Sequence, residues 1–406
     1  MSKNTSIIVK DRRKVYGNVE ISPDSELGML GITNRLMSRS EVVLTNLPRS
    51  LYFLNFLEVL ENLGFELVWE NYNYLRVRYE SVTDIKNIVD AEVLKSAPAQ
   101  ILTFVLPLLL KIKGEAKISK AYVSYIDEEF LDSLGMDIID SGNKVIISTP
   151  LENSVDMTLK YDLENLDLNF LFNKILMKNI FPKLKISLPD YHIINSANVL
   201  LAESKDNDVL VCPPSILEFK FFCSLIILLD GEIEFSGYDL KFFLSHLLRF
   251  VDLGLFYEVI DNKLRVWVES KPLELEYHFK DISTQDLALL ILLETLRSKR
   301  NIRNVLPYKK HFEGLIKELN MSGCRVDYKT YVKNDLMFFD LLVKPSNITS
   351  VKVNLYENMP AMNLSILLPV FCSEARGRAD SANVLEYILS NFKDNIKSIN
   401  LDVSLV

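Results

Sequence analysis

The chain has 406 residues, 49% hydrophobic and 25% charged, an ordinary globular balance that excludes a compositionally disordered chain. Its 46 basic and 54 acidic side chains leave a net charge of −8, which argues against non-specific binding to nucleic-acid phosphates. The length is too great for one ordinary core, so two domains of about 200 residues each are expected.

The first predicted unit opens with a helix over 26–38, followed by a strand over 41–45 in which apolar and polar residues alternate. Ser50 suits the cap of a second helix carrying Leu51, Leu54, Leu57 and Leu60 at helical spacing, and Gly64 is placed to end it. Two strands, 65–69 and 74–79, flank the turn at 70–73. The order is helix, strand, helix, strand, strand.

A second unit repeats that order over 98–149, with its closing turn at 140–143. The third has a helix over 166–177 and a strand over 183–187, but its ending is degenerate. The fourth is clear again. It has a helix over 215–229, a strand over 232–236, a helix with Leu240, Phe243, Leu244, Leu247, Leu248 and Val251 on one face, and a strand over 264–268 after the turn Asp261-Asn262. A fifth unit spans 283–344, and a sixth runs from Pro360 to the end.

Three strands rhyme: 41–45, 115–119 and 232–236 each set an acid before alternating apolar residues and a hydroxyl. Each is followed, roughly twenty residues on, by Leu-Gly (Leu63-Gly64, Leu134-Gly135, Leu253-Gly254), room for one helix and its C-terminal glycine. A fixed period implies a repeat architecture. Three units plus three give one domain over 20–212 and a second formed by 1–19 with 213–406. The prolines of Cys212-Pro213-Pro214 suit the break, ending a strand and pre-setting the next helix.

Cys212, Cys223, Cys324 and Cys372 are far apart and form no metal-binding spacing, so buried free thiols and no metal are expected. The four histidines are scattered. The first residues lack the apolar stretch of a secretory signal. The longest apolar run, 101–110, is about half of what a membrane span needs and contains Pro107. A cytoplasmic protein without membrane association is expected.

Several phrases, in their order and spacing, resemble the enolpyruvyl transferases, locally most the UDP-N-acetylglucosamine enolpyruvyl transferases. They are Val19–Ser22 before a helix, Asn46-Leu47-Pro48, the stretch from Pro107 to Ala116 ending in Gly-Glu-Ala, and Pro214–Glu218. The resemblance is strongest over 15–149 and 212–298 and weak after Lys344. It implies an α/β protein of two inverse α/β barrels, each of three helix-strand-helix-strand-strand units around an interdomain cleft. It also implies transfer of an enolpyruvyl group from phosphoenolpyruvate to a hydroxyl. That chemistry needs cations for phosphate and carboxylate, an acid for the enol carbon and a base for the hydroxyl.

Carried over residue by residue, the resemblance places its Lys-Asn pair on Ser25 and Glu26, and an arginine on Ala99. Its mobile loop is about seven residues shorter here, within the range of ordinary connections. Its Pro-Thr-Asp base falls at 283–286, on Gln285 directly or on Asp286 with a slip of one residue. A helix capping box explains the same residues. Its last-unit arginine falls near Met359. Arg376 and Arg378 offer phosphate contacts, although cations around a glycine also fit a helix C-terminus.

The expectation is a catalytically inactive relative that uses its scaffold, without a cofactor, to bind a small molecule in the cleft or a protein partner, and no nucleic acid. The alternative is an active transferase with a rebuilt site, in which Asp286 is the base and Ser25, Glu26, Arg376 and Arg378 bind substrate. A ring-shaped clamp is a third reading, and it requires a cationic inner surface.

Overall fold

The computed structural model describes residues 6–11, 14–95, 97–150, 156–161, 170–188, 197, 200–201, 208–237, 240–251, 253–268, 277–278, 300–305, 313, 316–317, 319–321, 323–333, 336–344, 346, 348, 350–352, 367–373, 376–380 and 391–406. The chain divides into two units, one of Pro23–Pro213 and one of Met1–Ser22 with Pro214–Val406.

Strands β1 (Ser6–Val9) and β2 (Tyr16–Glu20) open the chain. In the 23–213 unit follow α1 (Ser25–Leu36), β3 (Glu41–Thr45), α2 (Leu51–Leu63), β4 (Glu66–Asn71) and β5 (Tyr74–Arg78). Next come β6 (Ile88–Val89), α3 (Ala91–Leu94), α4 (Leu102–Lys113), β7 (Glu115–Ser119), α5 (Glu128–Ser133), β8 (Asp137–Ser141) and β9 (Lys144–Ser148). The unit ends with β10 (Thr158–Lys160), α6 (Leu171–Met177), β11 (Lys185–Ser187) and β12 (Val209–Val211).

The other unit continues with α7 (Ile216–Leu229), β13 (Glu232–Ser236), α8 (Leu240–Val251), β14 (Leu255–Ile260) and β15 (Lys263–Val268). Then come β16 (Tyr277–His278), β17 (Arg300–Val305), β18 (Arg325–Lys333), β19 (Leu336–Lys344), β20 (Ser350–Lys352), β21 (Gly377–Asp380), α9 (Phe392–Ser398) and β22 (Val403–Leu405).

The strands form separate open sheets. The 23–213 unit holds β12-β3-β5-β4, β6-β7-β9-β8 and the pair β10-β11. The other unit holds β14-β15-β13-β2, β16-β17-β19-β18 and β20-β21-β1-β22. In β3, β7 and β13 one neighbour is parallel and remote in sequence, and the other is the second strand of the following hairpin, antiparallel. Val42, Leu44, Ala116, Ile118, Ile233 and Phe235 point inward from these strands and are buried, so a one-residue slip would turn each apolar set to water.

The acid that begins each rhyming strand has a structural use. Glu41 accepts from Arg76 on β5 at 2.8 Å, and Glu232 accepts from Arg265 on β15 at 2.6 Å. Glu115 pairs with Lys117 at 3.1 Å and accepts from Asn87 at 2.7 Å. These are cross-strand or same-face pairs on the outer surface, weak and screened by salt.

Local chemistry ends the helices. Ser50 Oγ accepts from the Phe53 N–H at 3.2 Å and caps α2. At its far end Gly64 takes φ +104°, and the Phe65 N–H returns to the Leu60 carbonyl at 3.0 Å, a Schellman closure that a β-carbon would strain. Asp261 and Asn262 both hold positive φ and join β14 to β15 by a two-residue turn.

Helices α1, α4, α6 and α7 are buried nearly all round, as interior helices are. The apolar run around Pro107 is therefore core of the 23–213 unit. Among the described residues no helix is long and apolar enough to cross a membrane.

Candidate functional site

In the 23–213 unit α1, α4 and α6 run parallel. Asn179, just past α6, donates to the Asn34 side chain near the end of α1 at 2.8 Å, and Lys111 near the end of α4 donates to the Asn179 carbonyl at 2.8 Å. At the other end, Phe104 in the first turn of α4 stacks on Phe172 in the first turn of α6, centroids 5.5 Å apart. The helix starts thus share one end of the bundle. The dipoles of helices that start there make that end electropositive before any side chain is counted.

The side chains at the start of α1 oppose that field. Asp24 Oδ1 accepts from the Leu27 N–H at 2.9 Å and caps the helix, while its own N–H donates to the Pro213 carbonyl at 2.7 Å. Ser25 is buried, with its Oγ 2.6 Å from Ser50 Oγ. Every residue of α1 is buried except Glu26, which is partly exposed. Burial, reinforced by the nearby Asp24 charge, pushes Glu26 up to about 8. Burial also raises Asp24 to about 6, against the pull of the Leu27 and Glu26 N–H groups. Both shifts favour the protonated acid, and neither side chain brings a positive charge to the start of α1.

Ser50 serves two partners here, capping α2 and meeting Ser25. Replacing it by alanine (Ser50→Ala) is expected to cost about 1–2 kcal/mol, read as a lower urea midpoint with an unchanged slope.

At the start of α4, Ala99 lies in a single 3₁₀ turn, with Gln100 and Thr103 buried beside it. At the start of α6, Asn173 and Lys174 are buried, and Asn173 Oδ1 has no hydrogen-bond partner. Lys174 forms an ion pair with Asp127, which caps α5 through its other oxygen. The link from β7 to α5 is a 3₁₀ helix, Lys120–Tyr125, leading into that cap. Sequence reasoning passed over Lys174. Its one signal was a lysine among the apolar residues of a predicted inner helix.

The other expected site residues fall in the second unit. Asp286 lies outside the described residues, as does the whole stretch 279–299. Arg376 is exposed and directly precedes β21. Arg378 lies within β21, donating to Asp380 Oδ1 at 2.7 Å and to Ser6 Oγ at 3.2 Å. The helix-end reading of this stretch gives way to a strand that begins at Gly377. A β-carbon there would stand 2.1 Å from the Val370 carbonyl oxygen, so the tight approach of the two backbones requires glycine.

The same unit holds a buried carboxyl at the start of α7. Glu218 Oε2 accepts from the Ser22 N–H at 2.5 Å, and Oε1 accepts from Asn395 Nδ2 at 2.9 Å. Burial raises it to about 7 despite these donors and the Ser22 hydroxyl. Among the described residues, no group of three or more His, Cys, Asp or Glu could hold a metal ion. All four cysteines are buried.

No family model and no curated protein matches this sequence. Solved structures do match. The enolpyruvyl transferase NikO from Streptomyces tendae superposes with a TM-score of 0.70 at 13% identity, over 100% of this chain and 99% of that one. Two structures of EPSP synthase from Acinetobacter baumannii give 0.60 and 0.62 at 10% identity, over 100% and 99% of this chain and 100% of theirs. With full-length coverage of both partners, the chain has the fold of the enolpyruvyl transferases.

Proposed function

We propose that this chain is a divergent protein of enolpyruvyl transferase fold, built as two inverse α/β barrels, that lacks turnover and works in the cytoplasm as a scaffold binding a ligand or a protein. The observation that carries this reading is the acid pair at the start of α1. Where the resemblance implies a cation for phosphoenolpyruvate, Asp24 and Glu26 place two carboxyl groups. A donor without charge gives a phosphate or carboxylate far less than a lysine gives. Ser25 is directed to Ser50.

The short β7–α5 link supports the same reading. A 3₁₀ helix that runs into a capped α-helix provides no long closing lid. Arg378 is held by Asp380 and Ser6 in a sheet, which weighs against the alternative of an active transferase using Arg376, Arg378 and Asp286.

The decisive assay is phosphate release from phosphoenolpyruvate with UDP-N-acetylglucosamine or shikimate 3-phosphate as acceptor. The expected rate equals that of the no-enzyme control. Turnover above it that disappears in the Asp286→Ala variant overturns the proposal and restores the active reading.

A further inference from the structure

The Lys174 side chain is 3% exposed, and its surroundings come from three stretches of chain, at 127–130, 161 and 170. Its ammonium lies 4.8 Å from the ring centroid of Phe130 on α5, 5.3 Å from Tyr161 just after β10, and 5.5 Å from Phe170 just before α6. Asp127, at the end of the link from β7, supplies the fourth side with its Oδ2.

Withdrawing an ammonium this far from water is unfavourable unless an anion stands beside it. Three ring faces attract the cation, but they do not neutralise it. Asp127 is that anion. The two partners are not equally buried, because the carboxylate is 20% exposed against 3% for the lysine. The cation is enclosed by the fold, and its counter-charge stands on the side that meets solvent.

We infer that Asp127 is a built-in substitute for a ligand's oxyanion: its carboxylate fills an anion-binding position on Lys174, and a phosphate or carboxylate ligand binds there only by displacing it. The latch belongs to the end of the β7–α5 link, where the 3₁₀ helix runs into the Asp127 cap. The inference rests on the geometry of the 23–213 unit and does not require wild-type turnover.

The test replaces the charge and keeps the cap. Asn and Ser are both good N-cap residues, so Asp127→Asn and Asp127→Ser retain the bond to the Phe130 N–H and release the ammonium. Thermal unfolding is followed through titrations of inorganic phosphate and, separately, acetate at constant ionic strength, with circular dichroism to establish the fold. The expected result is half-saturation by phosphate at about a tenfold lower concentration than in wild type. That gain should vanish when Lys174→Met is added. A response to phosphate alone identifies a phosphate position, and an equal response to acetate a carboxylate position. The inference is overturned if the folded variants respond no more than wild type, if the gain survives Lys174→Met, or if neither variant folds.

Discussion

The unfolding temperature is expected to fall as the pH is raised from about 5 to about 8, the reverse of a protein held by paired carboxylates. The cause is a set of carboxyls whose folded-state values lie above the unfolded ones: Glu218 near 7, Glu26 near 8 and Asp24 near 6. Such a group binds its proton more tightly when folded. Its contribution is therefore fully present below the unfolded value, is lost as pH rises, and is gone above the folded value. For Glu218, moving from 4.5 to about 7 corresponds to roughly 3 kcal/mol between the two limits.

Glu218→Gln separates this carboxyl from the other two. The glutamine fills the same volume without titrating, so the slope between about pH 5 and pH 8 should shrink by the Glu218 share. Glu218→Ala should instead lower stability at every pH, because the Ser22 N–H and Asn395 Nδ2 lose a buried acceptor. Calorimetry across this range checks both variants. A stability that rises steadily with pH would show that the raised carboxyls do not govern the acid side.

Phe104→Ala is expected to cost about 3–5 kcal/mol, enough to remove much of the stability of a domain of this size. Phe104 is 1% exposed, stacks on Phe172 of α6 at 5.5 Å and meets Phe56 of α2 edge-on at 6.0 Å. The truncation therefore opens a cavity that three helices line and that backbone shifts only partly close. Phe104→Leu keeps most of the volume and should cost less than half as much. Urea unfolding at a fixed pH measures both. Equal losses for the two variants would mean that ring stacking, and not filled volume, holds the helix starts together.

Part of the site was legible along the chain. Ser50 and Gly64 were readable as the ends of α2 because a cap hydroxyl and a glycine act on backbone groups within a few residues. Ser25 and Glu26 were readable as a helix start without a cation, and the short link after Ser119 as an ordinary connection. The lysine that does stand at this end of the bundle was not legible. Its partner Asp127 is 47 residues away, and its ring neighbours lie on three segments.

The stretch Arg376-Gly377-Arg378 shows the same limit. A glycine between cations has the local form of a helix C-terminus. What decides otherwise is the Val370 carbonyl against Gly377 and the contact of Arg378 with Ser6, 372 positions distant in sequence. The amino-acid sequence alone determined where strands alternate, where helices begin and end, and which residue types stand at the start of α1, because these follow from steric and hydrogen-bonding rules spanning a few residues. Only the tertiary structure decided which of those groups are charged and which charges are already answered. Desolvation and ion pairing are set by segments remote in sequence, and the same lysine or glutamate has a different chemistry once water is removed from around it.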